Sequence, residues 1–118
     1  MALDTEFGGA LRRRRRAAGL SQRALAARTN LDMTYISKIE NGRVPPPAAD
    51  TIVALAHALD SPPADLLALT GKIPSVVRRM VSVSRMAQGF LYTASQMALT
   101  DQEWARLTQA LGQLRTRA

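Results

Sequence analysis

Thr34, Ser37, Lys38 and Asn41 follow one another at steps of three, one and three residues. At 100° per residue they share an arc of about 100° on one side of a helix. Each ends in a group that donates or accepts hydrogen bonds, while Ile36 and Ile39 fall on the opposite side and define a buried face. Met33 lies at the edge of the polar arc, in the first turn. Such a strip makes and breaks no bonds. Its chemistry is recognition by hydrogen bonding. Any surface helix has a polar outer face, so the strip gains meaning from the segments that hold it.

The stretch QRALAARTNLDMTYISKIEN, residues 22–41, contains two short helical patterns separated at Thr29-Asn30-Leu31. Leu25 and Ala26 are the apolar positions of the first, and Ala26 is small where two helices must approach closely. This is helix-turn-helix spacing. Asn30 stands where the chain needs a positive φ, which Asn tolerates better than most residues. Asp32 is placed to cap the second helix, its carboxylate accepting orphan N–H groups at the positive end of the dipole. Gln22, after the N-cap Ser21, can reach a phosphate with its amide.

With 118 residues the chain has room for one compact domain, or for about 70 residues plus an appendage. Only 4% of residues are aromatic, so the core must come from Leu, Ala, Val, Ile and Met, and Ala- and Leu-rich segments argue for helices throughout. The net charge is +7, and residues 1–43 hold nine bases against four acids. That excess coincides with the paired helices, and it draws a polyanion with a steep dependence on salt. Evenly spread, the same charge would serve solubility alone. The absence of cysteine excludes disulfide and thiolate chemistry. The N-terminus lacks an apolar signal core, and the longest uncharged run, residues 86–100, is too short and polar to span a bilayer, so a cytoplasmic protein is expected.

The pattern predicts a first helix from about Glu6 to Ala18, with residues 1–5 frayed and Gly19 as its stop. Arg12 to Arg16 circle more than a full turn, so some of the five must be structural. After Asn41-Gly42, the run Arg43 to Pro47 is a rigid extended connector. A fourth helix fits Ala48 to Leu59, and Ser61 is read as the cap of a fifth carrying Leu66, Leu67 and Leu69, ended by Thr70-Gly71.

From about Leu11 to Leu69 the chain resembles the Cro/C1-type (Xre-like) helix-turn-helix family of bacterial and phage transcription regulators. The residues that carry the resemblance are Leu11, Arg15, Gly19-Leu20-Ser21-Gln22, Leu25-Ala26, Tyr35-Ile36-Ser37-Lys38-Ile39-Glu40-Asn41-Gly42, Pro47, Leu55-Ala56, Leu59 and Leu66. The resemblance implies an all-α, five-helix, lambda-repressor-like DNA-binding domain over residues 6–71, its third helix in the major groove of double-stranded DNA. It implies base-edge positions at Met33, Thr34, Ser37 and Lys38, and backbone-contacting positions at Gln22, Asn41 and Arg43. It also implies a structural ion pair between Arg15 and Glu40. Three positions depart from the pattern: Asn30 replaces the usual turn glycine, Asp32 a more common Ser or Thr, and Arg14 an often apolar residue.

Residues 72–118 carry pattern alone. A helix is expected from about Val76 to Met97, divided or kinked by Gly89, with Val77, Met80, Val81, Ser84, Ala87 and Leu91 along one stripe. Thr100-Asp101-Gln102-Glu103 is a capping box, and Leu99 with Trp104 occupies the staple positions. Trp104, Leu107, Leu111 and Leu114 then recur at three, four and three residues, the rhythm of a short coiled-coil seam. Such a face can fold back as extra core. It fits better as a homodimer contact, because a two-fold dimer doubles the DNA contacts and sets half-sites about 34 Å apart.

No catalytic constellation is present in the sequence, so no enzyme and no cofactor are expected. His57 is the one histidine and stands between Ala56 and Ala58, no Cys/His cluster offers a metal site, and no Gly-rich loop cradles phosphate. The sequence reads as a DNA-binding transcription regulator, a repressor in its simplest form. The competing reading is an antitoxin-type module whose C-terminal helices clasp a partner protein.

Overall fold

A computed structural model describes residues 2–116, with side chains from Glu6 onward. Every regular element among them is helical: α1 (Ala2–Ala17), α2 (Gln22–Thr29), α3 (Met33–Glu40), α4 (Ala49–Ala58), α5 (Pro63–Ala68), α6 (Ser75–Ser82), α7 (Arg85–Ser95) and α8 (Asp101–Gln113). The chain divides into two compact units, the first ending at Arg78 and the second beginning at Arg79, where the sequence pattern placed the boundary after Gly71.

Local chemistry sets most helix ends in the first unit. α1 begins at Ala2, ahead of the expected Glu6, and closes in a Schellman motif with Gly19 at φ 73° and Leu20 N–H donating to Arg15 C=O at 3.1 Å. Ser21 Oγ accepts from Ala24 N–H at 3.0 Å and starts α2. Asn30 takes φ 57° and turns the chain, and Asp32 Oδ1 accepts from Thr34 N–H at 3.0 Å to start α3. α3 ends on Gly42 at φ 70°, with Arg43 N–H bonded to Lys38 C=O at 2.9 Å.

Phe7, Leu11, Leu25, Ile36, Ile39, Ile52, Leu55 and Leu66 are fully buried and form one core shared by α1 to α5. Burying each such side chain contributes about 1.5–3 kcal/mol, so this core supplies most of what holds the third helix in place. Beneath it α1 crosses the end of α3 very closely. A Cβ on Gly8 would collide with the backbone carbonyls of Ile39 and Glu40, 2.7 Å from the latter, so the crossing requires glycine there.

Two sequence expectations are corrected. Ser61 does not cap α5. Pro62 takes that position without a side-chain cap, and Ser61 Oγ accepts instead from Arg14 Nη1 at 2.6 Å, with Arg14 Nη2 also 3.5 Å from Asp65 Oδ2. Arg14 thus ties α1 to α5 through its head group, where the pattern offered only its aliphatic stem. The expected helix over 76–97 is two helices, and the break lies at Val83-Ser84 rather than at Gly89. Ser84 Oγ accepts from Ala87 N–H at 3.1 Å, and Gln88 Nε2 reaches back to the carbonyls of Val81 and Ser82 at 3.2 and 3.1 Å. Those bonds satisfy the end of α6, while a helical Gly89 costs only about 1 kcal/mol and does not by itself break the run.

The first residue of α6 is tied to α4, where Ser75 Oγ donates to Asp50 Oδ2 at 2.8 Å, and just before it Lys72 Nζ donates to the carbonyls of Pro46 and Pro47 in the connector at 3.0 and 2.9 Å. In the second unit α8 starts with a complete capping box: Glu103 N–H donates to Thr100 Oγ1 at 3.2 Å and Thr100 N–H to Glu103 Oε1 at 2.9 Å.

Candidate nucleic-acid interface

α3 is only two turns long, too short to be stable by itself, so its presentation depends on tertiary contacts. Ile36 and Ile39 are at most 1% exposed and clamp it to the core. Opposite them Met33, Thr34 and Lys38 are exposed, and Ser37 is half-buried. Among the described residues the side chains of Lys38 and Arg43 have no hydrogen-bond partner, so both cations are available to a ligand.

Behind this face lies a charged cluster. Glu40 has a side chain with no solvent exposure, and Arg15, also buried, grips it in a fork: Nε to Oε2 at 2.6 Å and Nη2 to Oε1 at 2.9 Å. Arg15 Nη1 donates onward to Leu20 C=O at 2.9 Å. Gln22 Nε2 adds a bond to Glu40 Oε1 at 3.0 Å, and Arg12 Nε approaches the same oxygen at 3.4 Å. Burial alone would push the Glu40 carboxyl up. The bonds from Arg15 and Gln22, the Arg15 charge and the bond from Arg12 outweigh it and hold the group below its ordinary range. Arg15 is raised by the same hydrogen bond, against the opposing effect of burial.

The residues singled out in the sequence therefore occupy two layers. Met33, Thr34 and Lys38 line the outer face, with Ser37 at its margin and Arg43 just beyond its end. Gln22, half-buried, and Asn41, exposed, each bond to a member of the charged cluster. The Gln22 amide spends one N–H on Glu40 and keeps the other. Asn41 Oδ1 accepts from Arg12 Nη2 at 2.6 Å, and its amide points to Ser37 Oγ at 3.4 Å. Sequence reasoning did not single out Arg12, Gly8 or Phe7. Phe7, Ala10 and Leu11 show helical spacing that could have revealed the buried face of α1; no local signal marks Gly8 or the Arg12 to Asn41 link.

Trp104, Leu107, Leu111 and Leu114, expected at a dimer contact, lie on α8 and its C-terminal cap, all exposed except the half-buried Leu107. Among the described residues no group of three or more His, Asp or Glu side chains could hold a metal ion, and no helix is long and apolar enough to cross a membrane.

Comparison with known proteins agrees with this geometry. Residues 6–69 match the family described as helix-turn-helix domain. The chain is 33% identical over 113 residues to RghRB of Bacillus subtilis (strain 168), described as an uncharacterized HTH-type transcriptional regulator, covering 87% of this chain and 81% of that protein. Among solved structures it is similar to the restriction-modification controller protein C.AhdI from Aeromonas hydrophila, at 39% identity and a TM-score of 0.53, over 56% of this chain and 98% of the other. The chain belongs to the Cro/C1-type (Xre-like) helix-turn-helix family of DNA-binding transcription regulators.

Proposed function

We propose that the protein is a sequence-specific repressor that reads an operator in double-stranded DNA with α3, as a homodimer held through residues 72–118, without catalysis and without a cofactor. The observation that carries this reading is the outer face of α3. Met33, Thr34 and Lys38 stand free above two isoleucines that are at most 1% exposed, so the reading groups are preorganised. In this reading Met33, Thr34, Ser37 and Lys38 meet base edges, while Gln22, Asn41 and Arg43 hold the phosphate backbone. Asp32 spends one carboxylate oxygen on the cap of α3, at the positive end of the helix dipole.

The test is selection of bound sequences from a random duplex pool, followed by shift assays on the selected site. A symmetric site of two half-sites supports the reading, and binding without sequence preference overturns it. One observation favours a second reading, the antitoxin-type module. An open apolar groove of about 940 Å³ runs between α7 and α8, with Met86, Phe90, Met97 and Leu107 in its lining. Co-purification of a stoichiometric second protein decides for it; a clean homodimer decides against it.

A further inference from the structure

From Arg79 onward Ala94 is the one buried side chain among the described residues. Leu111 and Leu114 are 66% and 73% exposed, and Trp104 is 41% exposed. The end of α6 and the whole of α7 and α8, ordered around one buried alanine, do not offset their conformational entropy, so a second apolar surface must complete them.

Resting on the dimer reading above, we infer that the occupant is α8 of a second copy, packed antiparallel. Trp104, Leu107, Leu111 and Leu114 occupy successive a and d positions. Antiparallel pairing sets Trp104 against Leu114 of the second copy and Leu107 against Leu111, a large residue facing a smaller one in the outer layers. It brings Asp101, in the first turn of one α8, beside Arg115, just past the end of the other, and does so twice by symmetry. Thr108 and Ala110, both small, then flank the two-fold axis and allow close approach. A parallel pair would instead gather Asp101 and Glu103 of both copies at one end, four carboxylates together, and align the two helix dipoles. Charge therefore selects the orientation.

The chain has no cysteine, so introduced thiols are unique. Full-length Asp101→Cys and Arg115→Cys proteins are prepared separately, mixed and oxidised, and the mass of the wild-type protein in solution is measured alongside. Antiparallel packing gives a cross-link between the two variants and little within either. In a parallel pair the two positions stand about 21 Å apart along the axis, so only like would join like. Cross-linking within a single variant overturns the proposal. A wild-type dimer that forms neither cross-link overturns it too but leaves dimerisation standing, and a wild-type monomer overturns both. As a second readout, Asp101→Arg and Arg115→Asp should each raise the dimer dissociation constant about tenfold, since opposite charges become like charges at both symmetry-related contacts. The two variants mixed, or both changes in one chain, should restore it; failure of that rescue also overturns the pairing.

Discussion

Arg15 Nε and Nη2 donate to the two carboxylate oxygens of Glu40 at 2.6 and 2.9 Å, joining α1 to the last residue of α3. Glu40 is fully enclosed, so removing its carboxylate strands a buried guanidinium as well as losing two charge-assisted bonds. We predict that Glu40→Ala destabilises the fold by about 3–5 kcal/mol, read as a lowered urea midpoint, before any effect on sequence preference. A fall below about 1 kcal/mol would show the cluster to be dispensable.

The same carboxylate makes stability depend on acid. Its folded pKa lies below its ordinary value, so its contribution is complete above the unfolded value of about 4.3 and is lost as pH falls through the lower folded value. Urea midpoints measured from pH 7 to pH 3 should hold down to about pH 5 and then decline. In Glu40→Gln that decline should be shallower, and an unchanged slope would remove Glu40 from the account.

Gly8 and Gly9 are neighbours in α1 with opposite surroundings. Gly8→Ala forces a Cβ into the carbonyls of Ile39 and Glu40, and should cost about 1–3 kcal/mol. At Gly9 the nearest obstacle is the movable end of Arg13 at 3.4 Å, so Gly9→Ala should raise stability by about 0.5–1 kcal/mol through helix propensity. Thermal melts of the two variants check the difference in sign.

On the outer face, Lys38→Ala and Thr34→Ala should each change the preferred operator by about 1–3 kcal/mol at one base position. Arg43→Ala should weaken all sequences alike and lower the salt slope by about one. Shift assays on the selected site and its single-base variants, at two salt concentrations, separate these outcomes.

Truncation after Arg78 keeps the first unit whole, including the Ser75 to Asp50 bonds that a cut at Gly71 would remove. The shortened chain should remain folded, run as a monomer and bind the operator more weakly than the full chain. A truncated protein that stays dimeric would place the self-contact in residues 1–78.

The five helices of the first unit, their order, and the spacing that sets Ile36 and Ile39 opposite Thr34 and Lys38 were legible in the sequence because each rests on local chemistry; the division of residues 76–97 at Val83-Ser84 was not. Ser21, Asp32 and Thr100 cap the helices that begin one residue later, Gly19 and Gly42 supply positive φ, and the isoleucines of α3 recur at helical spacing. Residues distant in sequence met only through the tertiary structure. No local rule brings Arg12 to Asn41, assigns Ser61 to Arg14 in place of a cap, or puts Gly8 under the carbonyls at the end of α3. Spacing along a helix states which residues share a face. The partner of that face depends on how helices cross, and that is decided by the packing of side chains from five segments at once.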